Sequence, residues 1–217
     1  MIKKYAYKDD RFSSHNQIAK LIQSNTQVLD VGCYDGIIGR LIRNKGCTVF
    51  GIDKDKEAAR RCRGAYKRVF TLDLEASVPK IKERFDYIVF ADVLEHLRNP
   101  DAVLALFSKF LKKGGRIIVS LPNVANIYMR LNLLFGRFGY QDKGILDRTH
   151  LRFFTLKSAT QLLRRFEIER IKFTPIPIQL VYPSLSKFGI IYNFLYLLAV
   201  LFPTIFAYQF VLVAKRQ

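Results

Sequence analysis

The sequence predicts an α/β fold, a mostly parallel sheet covered by helices on both faces. Strand-like apolar runs alternate with helix-like segments along most of the chain. One such run, Val28 to Val31, passes directly into a glycine-punctuated turn and then a helix. Half of the 217 residues are apolar, enough for a single domain over residues 1–217 to bury a substantial core.

A helix is expected over His15 to Gln23 within an N-terminal cap segment, residues 1–26, with Ser13 or Ser14 as its N-cap. Gln27 to Val31, Thr48 to Ile52, Val69 to Leu72, Phe85 to Ala91 and Arg116 to Leu121 are short β-branched and aromatic runs, read as strands one to five. The segments between them, Ile37 to Asn44, Lys54 to Cys62 and Asp101 to Leu111, are read as helices. Leu156 to Arg165 is a further helix before the last two strands, Phe166 to Phe173 and Ala207 to Val213. Residues 123–154 and 175–206 break the alternation. Connections of that length usually form lids or carry their own helices, and beyond the carboxyl ends of the strands they are placed to shape a substrate pocket.

Thirty-six Lys and Arg against eighteen Asp and Glu give a formal charge of +18, suited to phosphates, anionic headgroups or acidic glycans. The cations are dispersed, and no base-reading module or aromatic-interleaved basic stripe is present, so dedicated nucleic-acid binding is not expected. Cys33, Cys47 and Cys62 form no disulfide framework and suit a reducing compartment, which points to the cytoplasm. The polar opening MIKKYAYKDDR does not read as a secretory signal.

In VLDVGCYDGIIG, Gly32, Gly36 and Gly39 permit close backbone approach to a ligand, and the new helix offers unpaired N–H groups. Asp30 and Asp35 inside this motif would repel a pyrophosphate but attract a sulfonium and an ammonium group. Asp53, about twenty residues beyond the first glycine, stands where a carboxylate accepts from ribose hydroxyls. Asp73, at the end of the third strand, is placed to accept from an adenine amino group.

These segments resemble the class I S-adenosyl-L-methionine-dependent methyltransferases over roughly residues 13 to 175, with VLDVGCYDGIIG, GIDKD, TLDL, FDYIVFADVLEHLRNP and LKKGGRIIVSLPNV as successive motifs. SLPNVANI and GILDRTHLRFFT are similar to the MetW-like and UbiG-like subgroup. The resemblance implies a Rossmann-like seven-stranded sheet with insertions after strand five and before strand seven, and S-adenosyl-L-methionine as cofactor. It further implies that Asp30, Gly32 and Gly36 surround the methionine portion, with Cys33 only packing or touching the cofactor through its backbone, that Asp53 holds the ribose with Lys54 as a further cofactor-binding residue, that Asp73 and Leu74 lie near the adenine, and that Ala91, Asp92 and Val93 pass the sulfonium. Where the family has GCGxG, this chain has Gly32-Cys-Tyr-Asp-Gly36.

His96 and His150 are the candidate bases for the acceptor proton, because an imidazole titrates near neutrality. His15 lies in the segment expected to fold over the cofactor. Asp92, Glu95 and His96 have no diagnostic metal spacing, and no metal is assigned. The expected reaction is O-methylation of a small molecule, a lipid-linked intermediate or a glycan. The alternative is a non-catalytic cofactor-binding partner; a nicotinamide oxidoreductase is disfavoured by Asp35 and by the GxxxG spacing.

From Phe188 to Ala214 no residue is charged. Pro203, Asn193, Gln209 and the need for a final strand argue against a membrane span. That leaves Phe188 to Phe202 as a buried helix or as one lying on an anionic membrane surface, making the chain peripheral at the inner face of the membrane.

Overall fold

The computed structural model describes residues 10–177 and 189–216. Expectations that fall on residues 1–9 and 178–188 lie outside the described residues. In chain order the elements are α1 (Ser14–Leu21), β1 (Gln27–Val31), α2 (Ile37–Leu41), β2 (Thr48–Asp53), α3 (Ala58–Arg61), β3 (Arg68–Thr71), β4 (Phe85–Ala91), α4 (Pro100–Phe107), β5 (Leu111–Pro122), α5 (Ile127–Leu134), α6 (Leu156–Leu162), β6 (Phe166–Pro175), α7 (Gly189–Leu201), α8 (Pro203–Phe206) and β7 (Ala207–Arg216). The seven strands form one sheet in the order β3-β2-β1-β4-β5-β7-β6. All neighbouring pairs are parallel except those of β7, which runs antiparallel to β5 and β6.

The order reverses between β1 and β4, so a crevice opens beyond their carboxyl ends, at the topological switch point. Alternation along β1 decides which side chains reach each face: Leu29 and Val31 join the larger core with Phe50, Phe85 and Phe107, while Val28 packs with Ile18 and Ile38 under α1 and α2. Asp30, two residues on from Val28, is directed to that second face.

Side-chain caps set several helix starts, as Ser13, Asn99 and Asn126 each accept from a first-turn amide of α1, α4 and α5, and Thr155 with Ser158 forms a capping box on α6. The helix expected over Lys54 to Cys62 shrinks to Ala58–Arg61. The reason is local: Asp53 and Asp55 carboxylates accept from the amides of Asp55 and Glu57, each at 2.9 Å, and these turns compete with helix. Likewise α4 stops at Phe107, four residues before the expected Leu111. A 3₁₀ turn over Ser108–Phe110 follows, and β5 starts at Leu111 rather than Arg116.

Both insertions contain helix. The first is closed at its ends by a bridge between Asn123 and Phe154 and carries α5. The second carries α7 and α8. Among the described residues no helix is long and apolar enough to cross a membrane. Nor is α7 a buried helix, since among its residues of described burial only Ala199 is fully enclosed while Ile190, Phe194 and Leu197 stand exposed.

Candidate cofactor and acceptor site

The turn after β1 is tight. Gly32 and Gly36 have φ of +76° and +73°, and Tyr34 takes a left-handed φ of +40° between them. A Cβ on Gly32 would lie 2.5 Å from Val93 Cγ2, so glycine here lets the β1 and β4 turns meet. Asp53, at the end of β2, holds the turn: its carboxylate accepts from the Tyr34 amide at 2.8 Å and from the Asp55 amide at 2.9 Å. Each oxygen retains acceptor capacity for a further donor.

Asp30 is buried beneath the turn rather than exposed in it, and it accepts from the Tyr66 hydroxyl. Burial, with a smaller push from Asp53, raises its pKa to about 7, against the lowering effect of Tyr66. Cys33 is also buried, 3.8 Å from the Cys62 sulfur, and no nucleophilic role follows from its surroundings. Asp35, expected to attract a cationic ligand, is paired with the Arg61 guanidinium at 2.8 Å. Arg61 also binds Asp55 at 2.8 Å and lies over the Tyr34 ring. Lys54 and Asp73 are exposed, and Asp73 accepts from the Glu75 amide at 3.0 Å, while Leu74 is half-buried against the main core.

On the β4 side Ala91 is half-buried and Val93 buried under Gly32. Asp92 has φ of +56° and is pinned there. Its Oδ1 accepts from the Ser120 hydroxyl at 2.6 Å and from Gln209 Nε2 at 3.0 Å. His15 on α1 is close enough for the Asp92 charge to act against the lowering that burial imposes on its pKa.

His96 and His150 are brought together, with ring centroids 4.7 Å apart in edge-to-face geometry. His96 Nδ1 lies 3.1 Å from the Thr149 carbonyl oxygen, and His150 Nδ1 lies 2.9 Å from that of Ile145. Carbonyls only accept, so both Nδ1 atoms carry hydrogen and both Nε2 atoms are left as bases or ligands. Burial and the neighbouring His150 hold the His96 pKa below its ordinary value. Thr149 is itself fixed by donating its amide and hydroxyl to buried Asp147, at 2.8 and 2.6 Å.

Glu95 completes the cluster. It is buried, its Oε2 has no hydrogen-bond partner among the described residues, and burial together with Asp92 and Asp147 drives its pKa well above the ordinary value. Donor atoms of Glu95, His96 and His150 lie within 4.8 Å of one another, a grouping that suits either a shared proton or a divalent cation. Sequence reading placed His96 and His150 on one cavity but assigned no metal, and it missed that Glu95 joins the pair. It also missed Arg61, Tyr66, Ser120 and Gln209. Arg61 lay hidden in a basic run, and the others have no local motif.

A family model described as "Methyltransferase domain" matches residues 5–171. The chain belongs to the methyltransferase domain family. The chain is 29% identical over 126 residues to the ubiquinone biosynthesis O-methyltransferase of Pelagibacter ubique, covering 56% of this chain and 51% of the relative. It thus spans about half the length of the curated relatives it matches. A SAM-dependent methyltransferase from Thermotoga maritima, titled a possible histamine N-methyltransferase, superposes with a TM-score of 0.65 at 17% identity, over 95% of this chain and 90% of the other. Magnesium protoporphyrin IX methyltransferase from Synechocystis with bound SAH gives a TM-score of 0.58 at 16% identity, over 94% and 80%. These likenesses establish the Rossmann-like methyltransferase fold.

Proposed function

We propose that this chain transfers a methyl group from S-adenosyl-L-methionine to an oxygen of a small-molecule acceptor. The observation that carries the reading is the convergence, at one end of the sheet, of the β1 turn held by Asp53 with the His96–His150 pair beyond β4. The donor set fits the cofactor: Asp53 keeps acceptor capacity for two ribose hydroxyls, and Gly32 and Gly36 provide close backbone approach. Lys54 adds a cation beside the ribose, and Leu74 with Asp73 would flank the adenine. When bound, the cofactor supplies an electrophilic methyl group on a sulfonium.

His96 or His150 takes the acceptor proton at Nε2, since both Nδ1 atoms are held by carbonyls. The lowered pKa of His96 keeps its ring neutral and competent as a base at physiological pH. Burial, Asp92 and Asp147 raise the Glu95 pKa, which favours its uncharged form beside the two rings. Asp92, fixed by Ser120 and Gln209, places its backbone and that of Ala91 and Val93 along the cofactor. Positioning of acceptor and methyl in line supplies much of the remaining rate.

The relatives named as O-methyltransferases favour oxygen over nitrogen. A lipid-linked intermediate or a glycan is the finer acceptor reading, supported by the two insertions and the positive charge. The free thiols Cys33, Cys47 and Cys62 fit a cytoplasmic setting. Incubation of the purified chain with labelled cofactor and fractionated cell extract tests the function: label appearing in an organic acceptor supports it, whereas cofactor binding without turnover in any fraction favours the non-catalytic partner.

A further inference from the structure

Helix α7 is turned the wrong way for a helix in contact with water alone. Ile190, Phe194, Leu197 and Leu201 are 85, 57, 50 and 59% exposed, and their spacing places all four along one stripe. Ala199, on the opposite side, is the residue enclosed by the core. No residue of α7 is charged, and beside the stripe Asn193 is its one exposed amide, accepting from the Arg11 guanidinium.

Beside the stripe, α7 and α1 flank β6 and leave a groove of about 770 Å³. Arg11, Lys20, Arg170 and Lys172 line it, and none of the described lining residues is acidic. Of the neighbouring acids, Asp10 sits at the edge of this surface, accepting from the Tyr192 hydroxyl and the Phe12 amide, while Glu169 pairs with Arg116, so the four cations outnumber the acid that remains. Tyr196, Leu197 and Val200 from α7 form the apolar wall, and Phe12 stacks on Tyr196 with centroids 4.2 Å apart. The groove therefore joins four cations to a largely apolar wall, with Gln17 and Asn193 as its uncharged polar members.

We infer that this surface docks on the anionic face of a lipid bilayer, with the α7 stripe in the headgroup boundary and Arg11, Lys20, Arg170 and Lys172 against the phosphates. The other occupants fit less well. Residues 1–9 carry Lys3, Lys4 and Lys8 against Asp9 alone, and residues 178–188 carry Lys187 and no acid, so neither neighbouring segment supplies the missing negative charge. A second copy docked about a two-fold axis would set the same cations against each other in a chain of net charge +18. At 13 residues α7 is about 20 Å long, too short to span. The inference is independent of the identity of the methyl acceptor.

Flotation of the full chain tests it, with vesicles of phosphatidylcholine alone and vesicles with roughly one-third phosphatidylglycerol. Binding to the anionic vesicles only is expected, falling at least tenfold in about 0.5 M salt. Arg170→Glu with Lys172→Glu should lower binding at least tenfold, and Phe194→Ser with Leu197→Ser should do so separately. Unchanged thermal unfolding in both double variants shows that they fold. Failure to bind either vesicle, equal binding to neutral and anionic vesicles, salt-resistant binding, or full binding by the charge-reversed variant would each overturn the inference.

Discussion

Polar groups on the two sides of the crevice are held over different distances along the chain. Asp53, on the side of the glycine turn, binds amides 19 and 2 residues away. Asp92, on the acceptor side, is fixed by groups 28 and 117 residues away, and His96 meets Thr149 across 53 residues. The first arrangement is built largely by a strand, its turn and the next strand end. The second exists only once β5, β7 and the first insertion have docked. Local geometry thus secures the cofactor side, and the completed fold secures the acceptor side.

The comparison breaks most directly at the histidine pair. His96→Ala or His150→Ala should lower turnover by about 10²-fold or more if that ring is the base, with cofactor affinity measured by calorimetry unchanged. The pH profile sharpens the assignment. His96 works as a base only when neutral, and its pKa lies below the ordinary value, so rate should rise with pH to a plateau already reached near neutrality. His150→Gln removes one cause of that lowering and should move the rising limb of residual activity to higher pH. A loss of cofactor affinity equal to the loss of rate would remove these residues from proton transfer.

On the cofactor side, Gly32→Ala combines a positive φ with a 2.5 Å approach to Val93 Cγ2, and it should destabilise the chain by about 2–3 kcal/mol while weakening cofactor binding. Gly136→Ala, at φ +66° with no neighbour within 4 Å of the added Cβ, is the control and should cost only about 1 kcal/mol. Thermal unfolding of the pair separates backbone conformation from steric approach. Equal losses would show that contact between the β1 and β4 turns contributes little.

Asp53→Ala should weaken binding of the cofactor or its demethylated product by about 1.5–3 kcal/mol, the usual worth of hydrogen bonds to a charged group. Part of that loss reflects the freed Tyr34 amide, so Asp53→Asn, which keeps one acceptor oxygen, should recover some affinity. Unchanged calorimetric affinity in the alanine variant would remove this acid from the ribose site.

What could be read in the sequence follows the same division. The strand pattern, the glycine turn and the position of Asp53 depend on periods of a few residues, and the seven strands appear where apolar runs indicated them. The meeting of His96 with His150 was readable because one follows β4 and the other lies in the insertion after the neighbouring β5, but nothing in the sequence marked Glu95 as the third member. Asp30 was read as lying about the methionine portion, and its partner Tyr66, 36 residues away, had no local signal in the sequence. The Arg61 pairing with Asp35 left no periodic trace. In α7 every position but Asn193 is apolar, aromatic or glycine, so no polar face marked which side would meet solvent.

Arg61 supplies the smallest expected effect and discriminates best between charge and geometry on the cofactor side. It bridges Asp35 and Asp55 and covers the Tyr34 ring, but its side chain is 27% exposed and that of Asp55 45%. Ion pairs so placed contribute about 0–1 kcal/mol each and are screened by salt. Arg61→Ala should therefore lower thermal stability by a few degrees at most and cofactor affinity by about threefold, with both effects shrinking in high salt. Arg61→Lys keeps the charge but loses the two-acid fork and the ring contact, so it should recover part of the stability alone. If Arg61→Ala instead weakens cofactor binding as much as Asp53→Ala, the turn is ordered chiefly by its charge network, and the ribose role of Asp53 loses its support.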